Sequence, residues 1–114
     1  METTPKLKTN VEVLAKAIRR RSVVSFTYLG SEQVVAEPFI LGIHKDTGKY
    51  VLRCYKSFPL HIGDRKDNWL LLNLDDMTNL KITPMRSKDL RKGGMERETE
   101  MSEIIENVAD YIRD

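Results

Sequence analysis

A chain of 114 residues, 40% hydrophobic and 32% charged, has material for one modest core and is too short for two. One cysteine excludes an internal disulfide, and only two histidines stand beside it, which excludes a structural zinc site. A formal charge of +2 gives no global argument for nucleic acid, and no apolar run approaches the roughly 20 residues of a membrane-spanning helix.

Residues 1–10 are polar, carry Lys6 and Lys8, and read as a flexible N-terminus. No apolar stretch of the signal-peptide kind follows, so a reducing cytoplasm is the expected location. Asn10 is placed to cap a helix over Val11–Arg20, with Glu12 in its first turn and Val11, Leu14, Ala15 and Ile18 at helical spacing. The pattern then changes to period two. Ser22–Tyr28 is rich in β-branched and aromatic residues, and Gly30-Ser31 supplies a turn. Gln33–His44 is the next strand, and Pro38 inside it demands a bulge or a sheet edge. Asp46-Thr47-Gly48 is a hairpin loop, followed by a strand over Lys49–Lys56 and an irregular loop over Ser57–Asp67. Trp69–Leu74 and Asn79–Thr83 are two more strands, separated by a turn at Asp75-Asp76-Met77, and Pro84 stops the second.

Five short strands in sequence favour a small closed or nearly closed barrel, because runs this short rarely make an open sheet that hides both edges. The helix and barrel would fill residues 11–84. Residues 85–99 read as a polar linker, and residues 100–114 as a C-terminal helix with Met101, Ile104, Ile105, Val108 and Ile112 as its apolar stripe. Charge is unevenly placed. Six cations face two acids in residues 1–21, and seven acids face two cations in residues 96–114. The two ends read first as solvated helix faces, with attraction between them, within the chain or head to tail, as the alternative.

The inventory of reactive groups assembles no enzyme. Cys54 lies mid-strand with no base in reach and reads as a core thiol. His44 and His61 are not at metal-ligand spacing, and neighbouring Asp75 and Asp76 point apart at a strand end. Binding is better supported. On the strand Lys49–Lys56, Tyr50, Leu52 and Cys54 share a core face, while Val51, Arg53 and Tyr55 share the other. Arg53 offers a bidentate anion donor and Tyr55 a stacking surface with a polar tip. Tyr28 ends the first strand and reaches towards the same rim, and Lys56, His61, Arg65 and Lys66 stand on or beside the long loop. Together they would line a pocket for a nucleotide or a single-stranded nucleic acid. The competing arrangement pairs Arg53 with Glu37 and leaves the loop cations solvated. Trp69, the single tryptophan, reads as a packing residue.

The order of these pieces resembles the WYL domain family over about Val11 to Pro84. The similar segments are Leu14-Ala15-Lys16-Ala17-Ile18 with Arg19-Arg20-Arg21, Val24-Ser25-Phe26-Thr27-Tyr28, and Glu37-Pro38-Phe39-Ile40-Leu41-Gly42. Tyr50-Val51-Leu52-Arg53-Cys54-Tyr55 stands at the strand that names the family, and Trp69-Leu70-Leu71-Leu72-Asn73-Leu74-Asp75-Asp76-Met77 at a later one. Met101-Ser102-Glu103-Ile104-Ile105 is similar to the end of stand-alone members. The resemblance implies a five-stranded Sm-like β-barrel with a ligand groove, in a bacterial regulator of the kind that senses nucleotides or binds nucleic acid. It implies a single-domain sensor or accessory module, since there is no room here for the helix-turn-helix domain most members carry in front. Asn73 and Asp76 replace basic positions of the family pattern, and Asp76 would repel a phosphate, so anion pairing would pass to Arg53, Lys56 or Arg65.

The expected function is thus a non-enzymatic regulatory module without a cofactor. It would bind an anionic ligand through Tyr28, Arg53, Tyr55, Lys56, His61 and Arg65. The alternative is a protein-interaction or homodimerisation module acting through the C-terminal helix and the barrel edge, and neither reading involves a membrane.

Overall fold

The computed structural model describes residues 5–58, 69–86 and 99–111. One helix, α1 (Pro5–Arg20), precedes six strands: β1 (Ser22–Tyr28), β2 (Glu32–His44), β3 (Tyr50–Phe58), β4 (Trp69–Asn73), β5 (Met77–Arg86) and β6 (Met101–Asn107). No helix among the described residues is long and apolar enough to cross a membrane.

The helix begins at Pro5, inside the stretch expected to be a flexible N-terminus. Proline is tolerated in a first helical turn, and Leu7 supplies an apolar position one helical repeat before Leu14, so the apolar stripe extends back past Val11. Asn10 is therefore no N-cap. It is a buried mid-helix residue whose Nδ2 donates to the Met77 carbonyl at 3.3 Å. At the other end Arg21 takes a left-handed conformation (φ 55°) and donates its N–H to the Ile18 carbonyl, which closes the helix and turns the chain straight into β1.

All ladders are antiparallel, in the order β4-β3-β2-β1-β5, with β6 on β2. Strand β2 organises the sheet. Its first half pairs with β1 from Glu32 to Ala36, and its second half pairs with β6 from Ile40 to His44 on the side that β1 has vacated. Both halves pair with β3. The register slips between Pro38 and Ile40, so the expected bulge at the proline is present and marks where β2 changes partner. Gly48, with φ 69°, closes the β2–β3 hairpin by donating to the His44 carbonyl.

The sheet is open, not the closed five-stranded barrel that strand count suggested. Strands β4 and β5 lie at opposite ends of the order and share no ladder among the described residues. A 3-10 turn over Leu74–Asp76 carries the chain from one to the other without a ladder between them. Other hydrogen bonds close the seam there. Asn73 N–H donates to Tyr28 Oη, Leu29 N–H to the Asp76 carbonyl, and Asn10 to Met77. The helix covers what remains: Leu7, Leu14, Ala15, Ala17 and Ile18 join one core with Phe26, Phe39, Leu41, Leu52, Leu74 and Met77.

The C-terminal helix is also overturned, because residues 101–107 form β6 and residues 108–111 a short 3-10 turn. Ile104 and Ile105 are adjacent β-branched residues, and the side of β2 that β1 has vacated offers a ladder, with Ile104 opposite Gly42 and Ile105 in a bulge, that outweighs the helical spacing of the apolar positions. The alternative of attraction between the chain ends is met by one ion pair inside the molecule, where Arg19 Nη1 donates to Glu106 Oε2.

Candidate functional site

Strand alternation puts Arg53 and Tyr55 on one face of β3, opposite Leu71 and Trp69 of β4. Tyr55 is only 9% exposed, and its ring meets Trp69 edge-on at 5.1 Å. Trp69 in turn meets Phe39 edge-on at 4.8 Å. The aromatic surface at this face is thus the half-buried Trp69, wedged between two rings, while Tyr55 is a buttress beneath it. Arg53 is half-buried, two residues along β3 from Tyr55, so strand geometry places it diagonally from Trp69 at about 7–8 Å between backbones.

The other predicted residues fall elsewhere. Tyr28 bonds to Asn73 at the seam and lies near Cys54, which points to the opposite face of β3 from Arg53. Burial raises its pKa, and the Asp76 carboxylate adds to the rise, so this corner is electrostatically unfavourable for an anion. Lys56 is 6% exposed and donates to Glu32 Oε1 at 2.7 Å, an ion pair that ties β3 to the start of β2. His61 and Arg65 lie outside the described residues. Of the four predicted residues that are described, Arg53 and Tyr55 are brought to one face. Trp69 joins them there, and its cross-strand position opposite Tyr55 was visible only once the β3–β4 register was known.

Cys54 is fully buried, and burial pushes its thiol up to about 12 from an ordinary 9.0, against a smaller opposing pull from the Arg53 guanidinium. The folded protein should not react with a thiol reagent at pH 8, and labelling should appear only on unfolding. The pH dependence has a definite sign. Above pH 9 the unfolded chain loses this proton while the folded chain keeps it, so the thiol's contribution to stability is full below 9 and disappears by about 12. Denaturant titrations of the wild type and Cys54→Ala across pH 8–11 should show a steeper alkaline decline in the wild type.

His44, Asp46 and Glu100 bring three possible metal-ligand atoms within 4.8 Å of one another. However, His44 Nδ1 already accepts the Asp46 N–H at 3.1 Å, which leaves the ring proton on Nε2, 3.7 Å from Glu100 Oε2. The trio is thereby a clasp between the β2–β3 hairpin and the start of β6, reinforced by Lys45 N–H donating to the Glu100 carbonyl. A cavity of about 230 Å³ lies between α1 and the 3-10 turn, lined by Lys6, Leu7, Asn10, Leu74 and Asp75. None of Tyr28, Arg53, Tyr55 or Lys56 lines it.

By class, the chain is a mainly β protein with six antiparallel strands in an open sheet and one N-terminal helix. Its fold is similar to part of proteasome accessory factor B/C (PafBC) of Arthrobacter aurescens, with a TM-score of 0.58 and 14% sequence identity. The match covers 82% of this chain and 14% of that one, and at such identity the likeness is one of fold. No protein-family profile matches the sequence, and no curated protein matches it.

Proposed function

We propose that this chain is a non-enzymatic regulatory module of the WYL type that binds an anionic ligand, a nucleotide or a short single-stranded nucleic acid, on the face of β3 and β4. The reading rests chiefly on one juxtaposition: half-buried Arg53 of β3 stands diagonally across the ladder from half-buried Trp69 of β4, whose ring meets Phe39 and Tyr55 edge-on. A guanidinium pairs with phosphate, and a fixed indole stacks a base with little loss of side-chain freedom. The likeness to a segment of proteasome accessory factor B/C supports the fold, and the regulatory class rests on the sequence resemblance to WYL domains. Tyr55 serves as support for the indole, and Lys56 as a structural ion pair.

Trp69 is the single tryptophan, so it reports directly on a stacked base. Titration with nucleotides and with short single-stranded RNA and DNA at 50 mM salt should quench its emission. Arg53→Gln should weaken binding roughly tenfold or more and lower the salt dependence by about one phosphate contact. Unquenched emission with no change in probe anisotropy, or binding indifferent to Arg53→Gln, rejects the assignment.

A further inference from the structure

The cavity between α1 and the 3-10 turn takes no part in the Arg53–Trp69 face, and its lining is chemically mixed. Leu7 and Leu74 are buried and give it an apolar wall. Lys6 and Asp75 are exposed, stand on opposite sides of it, one on the helix and one on the turn, and carry opposite charges. Among the described residues neither makes an ion pair or a side-chain hydrogen bond, with the other or with any third group.

Asn10 supplies the polar group inside. It is 7% exposed, and its Nδ2 is taken by the Met77 carbonyl. That bond fixes the amide, so the acceptor Oδ1 is the atom left over. Among the described residues Oδ1 accepts no hydrogen bond, and it is not one of the side-chain atoms sealed from solvent without a partner. The cavity that Asn10 lines is where this acceptor is open. A deeply placed amide oxygen without a protein partner is costly unless something small and polar reaches it.

Size and charge narrow what that is. At about 230 Å³ the cavity lies below the roughly 300–1,000 Å³ of pockets for drug-sized ligands, so it suits a molecule smaller than a nucleotide. A plain anion meets Asp75, and a plain cation meets Lys6, so either is disfavoured by one wall. We infer that this cavity binds a small zwitterion with an apolar body, a free α-amino acid being the simplest. The carboxylate would pair with Lys6, the ammonium with Asp75 and Asn10 Oδ1, and the side chain would lie against Leu7 and Leu74. Such a ligand would join the first turn of α1 to the corner between β4 and β5, beside the Asn10–Met77 bond. The site shares no residue with the Arg53–Trp69 face, so its test is independent of the anionic ligand proposed above.

A ligand that binds only the folded chain raises its melting temperature as concentration rises. The full chain is therefore melted with L-leucine, leucinamide and N-acetyl-leucine, each up to tens of millimolar. L-leucine should raise the melting temperature with dose, and the Asn10 side-chain amide should shift in the NMR spectrum of isotope-labelled protein. Leucinamide lacks the carboxylate and N-acetyl-leucine lacks the ammonium, so each should bind at least tenfold more weakly. Lys6→Gln should abolish the preference for leucine over leucinamide, and Asp75→Asn the preference over N-acetyl-leucine, a pattern that a merely structural role does not produce. Both positions are exposed, and unchanged ligand-free melting curves would show that the fold is retained. No shift with leucine, isoleucine, valine or methionine overturns the proposal, as does equal binding of either blocked derivative. So does a coupling between Lys6→Gln and Asp75→Asn in the stability of the ligand-free protein, which would mean that the two charges serve one another.

Discussion

Leu14→Ala is expected to lower the free energy of unfolding by about 3 kcal/mol, the ordinary cost of truncating a fully buried leucine where the surroundings collapse only in part. Leu14 is 0% exposed and sits mid-helix, within the core cluster that reaches across the sheet to Leu41, Leu52 and Leu74. In a closed barrel a packed helix would be an addition to a core already complete. Here β4 and β5 share no ladder among the described residues, and α1 covers the space beside their seam, so the helix is part of the core itself. Urea titration measures the change directly. The exposed Lys16→Ala on the same helix should move stability by no more than about 0.5 kcal/mol. A loss below about 1 kcal/mol for Leu14→Ala would mean that the strands hold together without the helix.

The second large effect is expected at Gly42. A Cβ built there would stand 2.3 Å from the Glu103 carbonyl oxygen and 2.6 Å from Met101 Sδ. The methionine end can swing aside, but the carbonyl belongs to the backbone of β6, directly across the ladder. Gly42→Ala must therefore push the strand away, at a cost of about 1–3 kcal/mol. The damage should be local. Hydrogen exchange should quicken for amides of β6 and the second half of β2, while β1 and the first half of β2 keep their protection. Uniform acceleration across the sheet, or no acceleration, would count against the close approach described here.

The strands were legible in the sequence where one cause dominated. Ser22–Tyr28 is predicted to the residue, because a β-branched and aromatic run is bounded by the helix end and a glycine turn. The proline bulge and the hairpin glycine follow from backbone chemistry alone. What failed depended on distant partners. Met101, Ile104, Ile105 and Val108 fit a helical stripe, and only the vacant half of β2 decides that they form a strand. Pro84 was expected to stop a strand that runs on to Arg86; among the described residues β5 pairs on one side only, with β1, so a proline without its donor is tolerated. Barrel closure failed for a related reason, since a strand count does not reveal whether a corner is a hairpin or a 3-10 turn. At the candidate site, Arg53 and Tyr55 were correctly placed on one face by alternation. The burial of Tyr55 under Trp69 and the engagement of Lys56 by Glu32 belong to the β3–β4 and β2–β3 registers, which no local pattern encodes.

The division of β2 between three partners also sets an order of assembly. Its pairings with β1 and β3 join neighbours in the chain and close short loops, whereas β6 must return across some sixty residues to reach the same strand, a slow closure by comparison. During synthesis the β1–β2–β3 meander is available to form while the C-terminal segment is still being made, and the final strand then attaches to a template already in place.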